Sequence, residues 1–195
     1  QTQAKAFYYL PSLILSPPLN EGITKANNDV DNMLVFPMEL SAVGADIILN
    51  DMTFTPTIDS QLDPVNHIPP QGAKLYIDTN TDRALTIDDD PTLSDEKLAE
   101  VSVNTDGTIV FSSMNFNVTR DTFPRLFLLL DVNNQAPFGT KFQLEIADLA
   151  NDVSAQLSDG TPITAVSERE PKGLKMKIIS RAILVDQNAP TIYLE

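Results

Sequence analysis

Hydrophobic and polar residues alternate in short segments over most of this chain. Segments of five to eight residues with a two-residue period recur between turn residues from about residue 33 onward, and few stretches have the 3.6-residue period of an amphipathic helix. This pattern predicts an all-β protein. The spacing of strands and turns is typical of a two-sheet β-sandwich with jelly-roll or Greek-key connections.

Three strands carry specific expectations. In residues 33–42, Pro37 has no N–H to donate, which predicts a strand at a sheet edge. The apolar residues of that strand are expected on one face: Leu34, Phe36, Met38 and Leu40. In residues 46–56 the apolar residues change from odd-numbered to even-numbered positions, so we expect a β-bulge near Asn50 and Asp51. Residues 126–130 are apolar at every position, which predicts a central strand covered on both faces.

The remaining expectations concern shorter segments. A short helix is the candidate structure for residues 92–99, and turns are expected at Gly107, Gly139 and Gly160. Further strands are predicted at residues 73–77, 98–103, 108–118, 126–131, 141–146, 153–157 and 174–185.

The first 32 residues depart from this pattern. Residues 1–16 form a strongly apolar, extended arm, residues 17–32 are interpreted as a linker, and residues 33–195 as the sandwich domain with a C-terminal tail. The arm is a candidate donor strand that completes the sheet of a neighbouring copy through residues 4–15. Its groove-filling side chains would be Phe7, Tyr9, Leu13 and Leu15. The alternative is that the arm is simply the first strand of its own sandwich.

Charge and composition narrow the function. The chain has 27 acidic and 13 basic residues and a net charge of -14, which excludes a nucleic-acid scaffold. Its hydrophobic content of 42% is that of a folded protein, and the absence of cysteine excludes disulfides and thiolate chemistry. No apolar run is long enough to span a membrane. Because the chain begins at Gln1, we expect a processed, extracellular or cell-surface protein whose signal peptide has been removed.

An acidic loop follows the predicted strand 73–77. If Asp78 is position 1, oxygen-bearing side chains occupy positions 1, 3, 5, 9, 11 and 12, and Ala84 can offer its carbonyl at position 7. This is the oxygen set of a Ca²⁺ loop, although position 6 is Arg83 instead of glycine and position 12 is aspartate instead of glutamate. The predicted ligands are Asp78, Asn80, Asp82, Ala84, Asp88, Asp89 and Asp90. The alternative is a solvated acidic loop without a cation.

A resemblance covers residues 36–164. Its motifs are Met38-Glu39-Leu40-Ser41-Ala42, Met52-Thr53-Phe54-Thr55, the Leu75-Tyr76-Ile77-Asp78 strand that enters the DxNxD loop, Leu128-Leu129-Leu130-Asp131-Val132, and the segments 136–146 and 158–160. These resemble β-sandwich modules of secreted bacterial and archaeal surface proteins, and Asp89 at position 12 is similar to the calcium loops of dockerins. The resemblance implies a β-sandwich at a cell surface rather than a particular activity.

Enzymatic interpretations find little support. His67 is the single histidine, so a histidine metal cluster is impossible and any Ser-His-Asp triad would depend on this one loop residue. Carboxylate pairs such as Glu168 and Glu170 could serve hydrolysis, but an acidic sandwich contains many such pairs. The sequence therefore predicts a non-enzymatic, calcium-stabilised filament subunit whose partners are copies of itself. The alternative is a monomeric, calcium-dependent adhesive or carbohydrate-binding module that meets a surface glycan or protein.

Overall fold

The structure is a computed structural model that describes residues 10–18, 22–27, 29–78, 84–87 and 94–179. These residues form fifteen strands and one short helix. The elements are β1 (Ser12–Ser16), β2 (Ile23–Asn27), β3 (Val30–Val43), β4 (Ile47–Pro56), β5 (Ala73–Ile77), β6 (Glu96–Val101), β7 (Ile109–Phe111), β8 (Phe116–Val118), β9 (Arg125–Val132), β10 (Lys141–Phe142), β11 (Leu144–Glu145), α1 (Leu149–Asp152), β12 (Val153–Gln156), β13 (Pro162–Ile163), β14 (Ala165–Ser167) and β15 (Lys175–Ile179).

The strands form two large sheets and one small sheet. Sheet 1 has six strands in the order β14-β1-β3-β9-β5-β6. Sheet 2 has the order β11-β4-β12-β13, with β7 and β8 also paired to β4, and sheet 3 has the order β10-β15-β2. The predicted all-β sandwich is confirmed, and the third sheet is an addition to it.

The main core lies between the two large sheets. Phe36 of sheet 1 meets Phe54 of sheet 2 edge-on, with ring centroids 5.2 Å apart, and Phe54 meets Phe111 in the same way at 6.1 Å. Phe142 and Met176 extend this core to sheet 3. Aromatic pairs of this geometry stabilise a core beyond the area that they bury.

The predicted bulge in β4 is confirmed. The register between β4 and β12 shifts so that Ser154 pairs with Asp51 and Ala155 pairs with Leu49, which leaves Asn50 without an opposite residue. One extra residue reverses the parity of a strand. As a result, the apolar residues on both sides of the bulge are fully buried: Ile47, Leu49, Met52 and Phe54.

Two expectations for β3 were wrong. Its register shifts between Leu34 and Phe36, so Leu34 packs on the outer face of sheet 1 rather than beside the other apolar residues of β3. The strand is also internal, between β1 and β9, instead of at an edge. Pro37 is tolerated there because β1 ends at Ser16 opposite Glu39, so β3 has no described strand on that side at Pro37.

The central position of residues 126–130 is confirmed, because β9 lies between β3 and β5. Leu126, Leu128 and Leu130 face the main core. Phe127 and Leu129 belong to a second buried cluster on the outer face of sheet 1, which also contains Tyr76. A strand that is buried on both faces needs apolar residues at both parities.

A nearly buried ion pair joins β3, β5 and β9 on that outer face. The Lys74 ammonium lies 2.7 Å from Oδ2 of Asp131 and donates a hydrogen bond of 2.9 Å to Oδ1 of Asn32. The N–H of Asn32 donates to Oδ1 of Asp131 at 2.8 Å. Asn32 has a φ of 58° and lies where the β3 register shifts, so the network holds an unusual backbone position.

Shorter segments show where local patterns fail. The predicted strand 108–118 is two strands, interrupted by positive φ angles at Ser113 and Asn115. The predicted strand 141–146 divides between sheets 3 and 2, and the candidate helix 92–99 was wrong, since its described part enters β6. The three predicted glycine turns are confirmed by positive φ values: Gly107, Gly139 and Gly160.

Candidate functional site

The N-terminal strand β1 lies in the interior of sheet 1. It is antiparallel to β3, from the pair Ser12–Val43 to the pair Ser16–Glu39. On its other side it is parallel to β14, with Leu13 opposite Ala165. The first described strand therefore separates two others, and without it β3 and β14 would face an empty position.

Side chains of β1 fill a groove in the core. Leu13 and Leu15 are 0% and 1% exposed, whereas Ile14 on the opposite face is half-buried. Ser167 Oγ donates a hydrogen bond of 2.9 Å to the carbonyl oxygen of Leu15. Two of the predicted groove-filling residues are thus placed in the groove of their own chain. The other two, Phe7 and Tyr9, lie outside the described residues.

The segment interpreted as a linker contains strand β2. Residues 23–27 pair in parallel with β15, from Ile23–Lys175 to Asn27–Ile179. The first three residues of β2 are exposed, and the strand forms an edge of sheet 3. The described part of the connection from β1 to β3 is therefore anchored by this ladder of hydrogen bonds and by Ala26, which packs against the main core.

Two buried carboxylates stand at the base of the acidic loop. Asp78 directly follows β5 and Asp95 directly precedes β6, and their neighbours Ile77 and Glu96 are opposite each other in the antiparallel pair. Asp78 and Asp95 are 5% and 4% exposed. Oδ2 of Asp95 accepts a hydrogen bond of 2.9 Å from the N–H of Thr86, and the N–H of Asp95 donates to the Thr86 carbonyl at 2.8 Å.

Of the predicted calcium ligands, Asp78 is buried at the loop base and Ala84 is exposed. The other five lie outside the described residues: Asn80, Asp82, Asp88, Asp89 and Asp90. Sequence analysis missed Asp95, because residues 92–99 were interpreted as a helix with a capping residue. The pairing of β5 with β6 is what brings Asp95 to the loop base. Within the described residues, no group of three or more acidic or histidine side chains could hold a metal ion.

His67 and Glu170, two of the catalytic candidates from the sequence, make local contacts. Nδ1 of His67 accepts a hydrogen bond of 3.0 Å from the N–H of Asp63, which closes a turn. The pKa of Asp63 is lowered by hydrogen bonds from the side chain and backbone of Asn66 and from the backbone of Val65. Glu170 is exposed and pairs with Lys172 at 2.7 Å, and the hydrogen bond from that lysine lowers the pKa of Glu170.

Comparison with known proteins does not assign this chain to a family. No family model and no curated protein matches the chain. It is similar to a chain of the CaDoc0917–CaCohA2 complex, with 14% identity, a TM-score of 0.42 and coverage of 85% of this chain and 99% of that chain. It is also similar to the sixth cohesin of Acetivibrio cellulolyticus scaffoldin B, solved with a Cel5 dockerin mutant (15% identity, TM-score 0.35, 86% and 98% covered). A third is BslA, a bacterial hydrophobin (13%, 0.31, 91% and 99%). At these scores the likeness carries no argument about function.

Within the described residues, no helix is long and apolar enough to cross a membrane.

Proposed function

We propose that this chain is a non-enzymatic, extracellular structural protein that assembles into a surface filament by exchange of its N-terminal strand between copies. The interior position of β1 in sheet 1 is the observation that carries the proposal. Terminal strands that complete a neighbour's sheet bind through main-chain hydrogen bonds and through alternate side chains in pockets. Strand β1 has both features, with two ladders and with Leu13 and Leu15 buried beneath them.

Exchange preserves the contacts of the strand. The groove between β3 and β14 is the same in every copy, so a strand from another copy can make the hydrogen bonds and apolar contacts that β1 makes in its own chain. Burial of a leucine side chain contributes about 1.5–3 kcal/mol, and this gain is equal in both arrangements. The protein concentration and the connecting segment then decide which arrangement is populated. A strand passed from each copy to the next gives a head-to-tail contact that extends into a filament.

The connecting segment is long enough for exchange. Residues 17–29 lie between β1 and β3. At about 3.3 Å per extended residue, this segment spans roughly 40 Å, the width of a small domain. Release of the exposed β2 ladder would free the full length of the segment. We therefore expect β2 to separate from β15, or to pair differently, when β1 is donated.

Calcium is part of the same proposal. Asp78, Asn80, Asp82, the Ala84 carbonyl and residues 88–90 are the proposed ligands, and the structure leads us to add Asp95 as a carboxylate at the loop base. Like charges at opposite positions of a strand pair repel each other. A divalent cation bound by oxygen ligands would offset that repulsion and stabilise the β5–β6 connection.

Cysteine cross-linking tests strand exchange directly, because the natural chain has no cysteine. Ser12 and Val43 are opposite residues of an antiparallel pair, whose Cα atoms lie about 4.5–5.5 Å apart, within reach of a disulfide. A Ser12→Cys variant and a Val43→Cys variant are mixed, unfolded, refolded together and oxidised. Exchange predicts disulfide-linked dimers on a non-reducing gel, because each variant chain has a single cysteine. A mixture of the Ser12→Cys and Ile58→Cys variants is the control, since Ile58 is fully exposed and lies in neither strand that pairs with β1.

The second candidate function is a monomeric surface-binding module. The observation that favours it is that β1 occupies the groove of its own chain. In that case the mixed single variants form no more cross-links than the control. A chain carrying both Ser12→Cys and Val43→Cys closes an internal disulfide instead. That pair of results would rule out strand donation.

A further inference from the structure

Sheet 3 carries a row of lysines across its three strands. Lys141 of β10 is opposite Lys177 of β15, and Lys177 is opposite Lys25 of β2. Residues opposite each other in a sheet project from the same face, and adjacent strands are about 4.8 Å apart. Lys175, two residues before Lys177, adds a fourth lysine to this face. We call these four residues the lysine face.

The lysine face is the outer face of sheet 3. The intervening residues Phe142, Met176 and Ile178 are buried in the main core. Lys25, Lys141 and Lys175 are exposed and Lys177 is half-buried. Within the described part of the chain, none of the four lysines is in an ion pair.

The concentration of positive charge is unusual for this chain. Four of its 13 basic residues lie on one small face of a protein with a net charge of -14. Like charges at opposite positions of neighbouring strands destabilise a sheet. None of these four lysines has an ion-pair partner among the described residues, so an anionic partner would have an energetic reason to bind here.

A groove continues from the lysine face. Lys141 and Lys175 line a cavity of about 220 Å³ together with Asp59 and Gln143. An adjoining cavity of about 650 Å³ shares Asp59, Gln143 and Lys175, and continues to Arg169, Glu170, Lys172 and Glu145. The groove therefore contains both cationic donors and carboxylate or amide acceptors.

We propose that the lysine face and its groove bind an extended acidic polysaccharide that carries carboxylates, such as a polyuronate. Lysines would pair with the carboxylates of the sugar, and Asp59, Glu145 and Gln143 would accept hydrogen bonds from its hydroxyl groups. The acidic groove residues favour this ligand over an acidic peptide. Each sugar of a polyuronate presents free hydroxyl groups beside its carboxylate, whereas each residue of an acidic peptide has a single backbone N–H to donate, so the polyuronate supplies more donors for Asp59, Glu145 and Gln143. The proposal concerns the chain in which β2 is paired with β15, because that pairing places Lys25 beside Lys177.

The test measures binding of oligogalacturonate to the full chain by calorimetry. It is done at physiological salt, where the Debye length of about 8 Å limits repulsion by distant acidic residues, and with EDTA to exclude calcium bridging. Three probes are compared: oligogalacturonate, its neutral methyl ester and polyglutamate. The variant is Lys25→Gln with Lys177→Gln, and the matched control is Lys97→Gln with Arg120→Gln, which removes the same charge elsewhere.

We expect oligogalacturonate to bind and both other probes to bind more weakly. The Lys25→Gln, Lys177→Gln variant should weaken binding by about tenfold, or about 1.4 kcal/mol, while the control variant binds like the natural chain. The melting temperature of the lysine-face variant should not fall, because it loses a like-charge repulsion. The proposal is overturned if oligogalacturonate does not bind, if the control loses as much affinity, or if either comparison probe binds equally well.

Discussion

Ser167 Oγ donates a hydrogen bond of 2.9 Å to the carbonyl of Leu15, across 152 positions of the chain. This contact joins the N-terminal strand to β14, the edge strand of sheet 1. The groove for β1 is therefore built from β3 and from a strand near the C-terminal end of the described chain. Any event that withdraws β1 leaves this groove open to another strand of the same sequence.

The side chains of β1 should contribute unequally to stability. Leu15→Ala removes a buried side chain and should lower the free energy of unfolding by about 2–5 kcal/mol in a denaturant titration. Ile14→Ala is the matched control, because this side chain lies on the half-buried face and should lose much less. Equal losses would contradict the assigned groove. If β1 is exchanged between copies, the denaturation midpoint of the natural chain should also rise with protein concentration.

Calcium should stabilise the protein. Added to chelator-treated protein, Ca²⁺ at about 100 times its dissociation constant should raise the free energy of unfolding by about 2.7 kcal/mol, observed as a higher melting temperature. Asp82→Asn and Asp95→Asn should each reduce this shift, whereas Asp106→Asn, in a separate turn, should leave it unchanged. A shift that survives both of the first two changes would remove the proposed site. If Asp95→Asn lowers stability without calcium, Asp82→Asn still decides the question.

Substitution of only one residue of the Lys74–Asp131 ion pair should strongly lower the stability of the fold. Their side chains are 14% and 12% exposed, so Lys74→Met leaves a nearly buried carboxylate without its ammonium partner and should destabilise by about 3–5 kcal/mol. Replacement of both residues by apolar ones should restore part of the loss. Lys172→Met is the control, because its partners Glu170 and Glu145 are 79% and 26% exposed, and exposed pairs contribute about 0–1 kcal/mol. A similar loss in both variants would show that burial does not govern this pair.

Protonation of aspartates in turns should lower the free energy of unfolding in acid. Hydrogen bonds from the Asn151 side chain and the Ala150 backbone lower the pKa of Asp148, and Thr108 and Thr161 do the same for Asp106 and Asp159. A carboxyl group with a lowered pKa in the folded state contributes stability above its unfolded pKa of 3.8, and that contribution is lost as the pH falls through the folded value.

The measurement is the melting temperature across this acid range. Asp148→Asn keeps a capping oxygen that does not titrate, so its melting temperature should fall less with acid than that of the natural chain. Asp59→Asn, at an exposed turn, is the control for the loss of one charge. The assignment fails if Asp148→Asn follows the natural pH dependence.

The pattern of apolar and polar residues predicted a strand correctly where the burial of that strand depends on its own sequence. The bulge at Asn50 followed from the change of parity in β4, and the central position of β9 followed from apolar residues at both parities. The same approach failed for Leu34, because the bulge beside it has no signature in the apolar pattern. It also missed Asp95, since the residues around it fit a capped helix as well as a strand.

The sequence alone determined the all-β class, the glycine turns, the apolar character of the N-terminal arm and the acidic loop, because these depend on residues close together in the chain. Only the tertiary structure decided that β1 lies between β3 and β14, that Asp95 stands near Asp78, and that Lys25, Lys141 and Lys177 form one row. Residues 171–181 contain four basic residues and no acidic one, but only strand pairing brings Lys25 and Lys141 to the face that Lys175 and Lys177 occupy. Strands so far apart in sequence pair because their sheets can then pack together and bury their apolar faces. This packing depends on the sequence of the whole chain.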